Sequence, residues 1–442
     1  MRILAATVAA TLLALTASSA AFAGWSAPQS LTVPGEAVSE VAVDGHGDAA
    51  LAWATRHNTS TGAIFRTSVH VTVRTAYGRV ITRTVWSSKD ARTDDISLVI
   101  GTGGVTIAWE SATRAEEEAG APTVRAAYGP LAGRWNPAHA IGRSSVPADY
   151  PPVRWVPHLA IAPDGDVLLV WSHWDGRYGK GEEEHGDAVA WRTPGRPFGA
   201  PRVLPDAPGG ANARFDAGGT AYLYGYCSSS VLSAPAQTHR FVRAAVPTSG
   251  SILGFSLSLA GAGRGLASWI SGECSFDAAA GNTPGRVYAS ILSAGRFSKP
   301  VAVSPPGSAI YQSTVVAVPG GGTISWELVG DAGAEAVSVQ VGAGGQPGAT
   351  HLITDEKVVV AADGGGDEVL GWPLGWPIYL PSLPHPGPVV RPAGGASDQS
   401  ASGYEGKVAV AAPTGRAVAS AWNTSPNFAR PSSTIELSVW RP

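Results

Sequence analysis

Eight times along this chain an apolar run, a polar turn and a glycine are followed, about six positions on, by an aromatic residue. The first copy runs Val41, Ala42, Val43, Asp44, then Gly47, then Ala49 through to Trp53. Later copies end at Trp109, Trp171, Tyr224, Trp269, Trp326, Trp372 and Trp422, with Gly103, Gly165, Gly218, Gly263, Gly320, Gly366 and Gly415 placed before them. The aromatic markers are 56, 62, 53, 45, 57, 46 and 50 residues apart. These periods exceed those of common solenoid repeats and match a four-stranded propeller blade.

Period-two alternation and turn residues divide each unit into strands A to D. In the first unit these are residues 40–44, 49–53, 68–74 and 80–85, with the turn 44–47 joining A to B. The C-to-D turn carries its own signature: Gly133 with Arg134, Gly195 with Arg196, His239 with Arg240, Gly295 with Arg296, and Gly345 with Gln346. Glycine suits the positive φ of such turns. Residues 25–32 read as a strand D without a unit before it, while the last unit stops after its strand C at 434–440. The expected fold is therefore all-β, a β-propeller of eight four-stranded blades closed by the N-terminal strand. The weaker unit ending at Tyr224 leaves seven blades open.

The repeat extends over nearly all 442 residues, so one domain at 24–442 is expected rather than several. Residues 1–23 read as a signal peptide: Arg2, an apolar stretch over 3–15, then Ala21, Phe22 and Ala23 before Gly24. Its apolar run is too short to span a bilayer, and no later stretch is long enough, so no membrane span is expected. The mature chain is expected to be secreted. Cys227 and Cys274 are its only cysteines, and each follows strand B of an adjacent unit. In an oxidising compartment they are expected to form one disulfide. A net charge of −3 provides no basic footprint for nucleic acid.

In antiparallel blades the A-to-B and C-to-D turns lie on one face, and the B-to-C and D-to-A connections on the other. The first class is short and glycine-rich. The second is long and different in each unit: 57–67, 110–122, 172–187, 271–286, 423–433, 143–157 and 391–405. Long variable loops on a rigid scaffold are where recognition usually resides. With its Asp-Gly or Gly-Gly turn before B, aromatic end of B and Gly-Arg turn before D, the chain resembles secreted bacterial β-propellers of the TolB and WD40-like blade plan. That resemblance covers 25–442 and implies binding of proteins or glycans more often than catalysis. The likeness to sialidases is at fold level only, because Phe215, Asp216, Ala217, Gly218 and Gly219 lie between A and B, not in the sialidase box between the third and fourth strands.

Two acidic clusters, Glu116 to Glu118 and Glu182 to Glu184 with His185 and Asp187, fall in B-to-C loops. They could supply oxygen ligands or an acid–base pair, but they lack calcium-loop spacing and read as solvated tips. His173 and His185 lack the spacing of a metal pair. The aspartates at 44–48, 164–166 and 363–367 suit turns. No cofactor or metal is expected. The repeated aromatics read as packing between blades, whereas Trp174 falls outside their register and is a candidate ligand contact. Glu40, Asp95, His158, Asn212, Ser256 and Glu405, placed near the starts of the innermost strands, would ring one mouth of the central channel. These seven residues are the candidate ligand-binding set. The leading expectation is a monomeric, non-catalytic module binding an extracellular protein or glycan. A carbohydrate-active enzyme using Glu40, Asp95, Glu182 or Glu405, and a structural scaffold, are the alternatives.

Overall fold

The computed structural model describes residues 24–27, 29–34, 38–58, 64–145, 157–174, 185–205, 207, 211–225, 228–235, 237–248, 252–272, 285–307, 313–318, 320–330, 333–353, 358–362, 368–371, 389–391, 398–399, 404–410, 418–423 and 432–441. Their strands form eight antiparallel sheets that follow one another in the sequence, each laid out in the order A, B, C, D. The A strands are Val38–Val43, Ala91–Gly101, His158–Ile161, Asn212–Phe215, Ile252–Gly261, Ser313–Val318, Val358–Ala362 and Tyr404–Val410. Each sheet touches the next, mostly through neighbouring A strands, though sheets 4 and 5 and sheets 7 and 8 meet through other strands, and sheet 8 returns to touch sheet 1. This closed succession of radially repeated sheets is a β-propeller. The unit ending at Tyr224 builds a four-stranded sheet like its neighbours.

Closure occurs where the sequence places it. Gly24–Trp25 and Gln29–Pro34 both pair antiparallel with Ser432–Arg441, Trp25 opposite Trp440 and Thr32 opposite Thr434. The N-terminal segment thus serves as strand D of sheet 8, whose other strands come from the C-terminal end. The gap in the last unit and the surplus at the start are one feature.

The core is divided into layers between sheets. Ala50, Ala52 and Val71 of sheet 1 pack with Ile96, Leu98 and Trp109 of sheet 2; Tyr222 and Tyr224 of sheet 4 pack with Phe255 and Trp269 of sheet 5. Alternation fixes this arrangement, because sheets 2 to 5 each bury apolar residues on both surfaces against their two neighbours. Trp53, Trp109, Trp171, Trp269 and Trp326 are no more than 3% exposed, which makes them packing residues rather than open platforms. Trp109 lies against Trp86 of the preceding sheet at 5.9 Å, and the Trp171 indole donates to the Arg143 carbonyl of its preceding sheet. The C-to-D turns bear out their signature: residues 78, 133, 195, 239, 295 and 345 all take positive φ, including the one that is not glycine, His239 at φ 51°.

Several strands outrun the pattern. Strand B of sheet 1 continues to Asn58, strand B of sheet 2 to Thr113, and strand B of sheet 3 to Trp174. The 110–122 connection is therefore shorter than expected, and Glu116 to Glu118 are not a loose tip. They belong to helix α1 (Arg114–Glu118), which Thr113 caps while the Glu116 carboxylate reaches back to the Thr113 amide. Asp187 is a second correction: it is fully buried in strand C of sheet 3 and accepts from the Ala211 amide of the next sheet. Turn formation holds for the described aspartates, since Asp44 accepts from the His46 and Asp48 amides. Residues 1–23, Cys227, Cys274, Glu182 to Glu184 and the aspartates at 363–367 lie outside the described residues.

Candidate functional site

An innermost strand is a sheet edge, with amide and carbonyl groups that no further strand satisfies. Serines from the adjoining sheet meet part of this need. Ser97 Oγ accepts from the Leu159 amide and Ser258 Oγ from the Ala317 amide, while Ser256 Oγ donates to the Ser313 carbonyl at 2.7 Å. Ser256, expected to face a ligand, therefore ties sheet 5 to sheet 6. Its hydroxyl is spent on backbone.

The mouth residues of sheets 3 and 4 are arranged differently. His158 opens strand A of sheet 3 opposite Val170, and Asn212 opens strand A of sheet 4 opposite Tyr224. These two inner strands are in contact. Arg214 lies two residues, about 7 Å, deeper along the same strand as Asn212 and on the same side of it. Its Nε donates to the Tyr224 hydroxyl at 2.9 Å. Arg214 is exposed to solvent and yet lies deep inside the molecule. Both conditions are met by a side chain lining a water-accessible channel. The field of Tyr224 outweighs desolvation and, with the hydrogen bond, raises the Arg214 pKa further, so the guanidinium stays charged. His158 is pushed the other way: desolvation first, then the nearby Arg214 charge, lower its pKa to about 4, against the opposing Leu159 backbone. At neutral pH the site thus holds one cation and a neutral imidazole whose Nδ1 lacks a hydrogen-bond partner.

The remaining candidates are not gathered into this cluster. Glu40 is half-buried in sheet 1, with Oε1 3.3 Å from the Val41 amide. Asp95 lies well inside its strand, Ala91–Gly101, while Glu405 is near the start of Tyr404–Val410, and both are the extra residues of β-bulges, between Asp94 and Ile96 and between Tyr404 and Gly406. Inner strands of sheets 1, 5 and 7 shift register at a comparable level. A bulge leaves one residue unpaired and bends the strand, here close to where strand B delivers its aromatic. Trp174 closes strand B of sheet 3 opposite His185, rather than lying in a loop. The side chains of Asp95, Trp174 and Glu405 lie outside the described residues.

Arg214 is the residue that the sequence pattern overlooked. A clue was present, since Asn212 and Arg214 alternate with Ala213 and Phe215 on a strand that needs only one apolar face at the channel edge. On the opposite, turn-bearing face, Asp216 Oδ2 accepts from the Gly263 amide of the next sheet at 2.7 Å, a structural tie.

No family model matches the sequence, and no curated protein does. Among solved structures, the chain is similar to a prolyl endopeptidase at 11% identity and a TM-score of 0.44, over 90% of this chain and 53% of that one. The β-propeller domain of the Trilobed protease from Pyrococcus furiosus aligns over 91% and 92% of the two chains, at 11% identity and a TM-score of 0.39. Acylaminoacyl peptidase from Pyrococcus horikoshii gives 9% identity and a TM-score of 0.40 over 82% of this chain, which spans about half (52%) of that peptidase.

Proposed function

We propose that this protein is an exported, non-catalytic binding module. It recognises a protein or glycan through the face that carries the B-to-C and D-to-A connections, with the channel mouth of sheets 3 and 4 at its centre. The observation that carries the reading is the Arg214 side chain, held by Tyr224 beside His158 and below Asn212, in a position open to solvent at the innermost strands. A rigid ring with polar groups converging on its channel fits recognition, since the scaffold fixes the groups before a ligand arrives. The reading includes cleavage after Ala23, a monomer of eight blades, and a Cys227–Cys274 disulfide bridging connections of sheets 4 and 5. A carbohydrate-active enzyme would instead need two carboxyls about 5–10 Å apart across one pocket.

A glycan array and a pull-down from extracellular protein, each run with wild type, His158→Ala and Trp174→Ala, test the reading. Capture of a ligand by the wild type and its loss in His158→Ala supports the channel mouth. If both variants retain every ligand of the wild type, the mouth is not the recognition site.

A further inference from the structure

Two arginines enclosed by this ring have opposite circumstances. Arg192 is 2% exposed, its Nη2 donates to Thr106 Oγ1 at 2.8 Å, and its guanidinium lies over the Tyr128 ring at 4.8 Å. It is packed between sheets 2 and 3 and has no free approach. Arg214 is open to the channel, and Tyr224 holds only its Nε. The N–H groups on Nη1 and Nη2 have no acceptor among the described residues, and no described carboxylate forms an ion pair with it. A guanidinium oriented by a bond at Nε keeps its two terminal nitrogens as a planar fork, matching the two oxygens of a carboxylate.

Resting on the reading of the channel mouth as the ligand site, we infer that Arg214 anchors a ligand carboxylate, which enters past His158 and Asn212 and is held bidentately. The backbone of Arg214 lies about 7 Å below that of Asn212, and its bond to Tyr224, the residue paired with Asn212, sets the guanidinium inward of the strand start. Charge narrows the class. One guanidinium beside an uncharged imidazole matches a monoanion better than a phosphate group, which carries about −1.5 to −2. Asn212, one pleat nearer the mouth, adds an amide able to donate to the same group or to its neighbour. Two sources share this chemistry, an acidic sugar and the C-terminus of a peptide.

Calorimetric titration of the mature protein with galacturonate, N-acetylglycine and neutral galactose tests the assignment. Saturable binding of either carboxylate is expected, weakened at least tenfold in Arg214→Gln and substantially in Arg214→Lys, which keeps the charge but loses the fork. Galacturonate alone would make the source an acidic glycan, and N-acetylglycine alone a peptide terminus; each supports the anchor. Wild type that binds neither carboxylate, or variants that bind as wild type does, overturn it. Galactose binding as tightly as galacturonate removes the anion assignment while leaving the channel-mouth reading intact. Should Arg214→Gln not fold, Arg214→Lys and the fall of wild-type affinity with rising salt decide the matter.

Discussion

His158 sits where a proton is doubly unwelcome, in a partly desolvated mouth and beside a permanent cation, and its pKa falls from 6.5 to about 4. In the unfolded chain that histidine takes up its proton near pH 6.5, whereas the folded state resists until about 4. Stability is therefore unaffected by this group above 6.5 and declines as pH falls from 6.5 towards 4. A full shift of this size would be worth about 3 kcal/mol, and water in the channel reduces it to about 1–2 kcal/mol. Urea unfolding at pH 7 and pH 4.5 should show His158→Gln losing less stability than wild type by that amount. An equal loss in both would mean that neither burial nor the Arg214 charge depresses the His158 pKa. His239 poses a different contest, because it adopts a φ of 51° where the other turns use glycine, and it stacks on Trp191 with ring centroids 4.0 Å apart. Glycine would relieve about 1 kcal/mol of backbone strain and forfeit a stacking contact of similar size, so His239→Gly should be close to neutral. His239→Ala keeps the strain and loses the ring, and should cost about 1 kcal/mol more than His239→Gly in the same measurement. If alanine proves no worse than glycine, the stacking does not compensate for the turn.

Between sheets, the strand-B aromatic requires that its neighbour's outer strand make room for it. A Cβ on Gly142 would stand 2.6 Å from Trp171 Cζ2, so Gly142→Ala should cost about 1–3 kcal/mol by forcing apart a packed pair. Gly344→Ala, with nothing near its Cβ and a backbone outside the left-handed region, should stay within about 0.5 kcal/mol. Equal thermal midpoints for the two variants would show that the interblade contact is soft. That contact was legible in the sequence, since the aromatic recurs at one place in every unit and periodic position implies a periodic partner. The turns were legible too, because positive φ selects glycine. The bulges at Asp95 and Glu405 were not, because one extra residue in an inner strand shows only once the pairing with strand B is known. Nor was helix α1: five residues are too few to give a period, and its Glu116 looked like one member of an acidic run. Burial opposes the Glu116 charge, yet bonds from the Thr113 amide and hydroxyl and the Thr123 hydroxyl prevail and hold its carboxyl below the usual range. Arg214 escaped for a related reason. Polar residues on an edge strand look like ordinary solvent exposure until the ring places that edge inside the molecule.

At the scale of the whole ring, stability depends on whether the succession of sheets closes. Sheets 2 to 5 each bury both surfaces against neighbours, and the contact of sheet 8 with sheet 1 completes the succession, so opening it exposes a strand edge. Residues 24–34 supply the outer strand of sheet 8, and their partner strand contributes Leu437, which is 1% exposed and pairs with Gln29. Removing 24–34 leaves strand C of sheet 8 as an open edge, the arrangement that invites pairing with another chain. The expected outcome is a fall of at least about 10 °C in the unfolding midpoint, since the loss combines a ladder of backbone bonds with the uncovering of Leu437. Concentration-dependent association should accompany it. Replacing helix α1 and its flanking turn by a short glycine–serine link touches no buried side chain of the helix, and should shift the midpoint by only a few degrees. Scanning calorimetry and light scattering on the two deletions separate the cases. A truncated chain that remains monomeric and as stable as the helix deletion would mean that the sheets hold one another without closure, and the N-terminal strand would then be an ornament on an already complete ring.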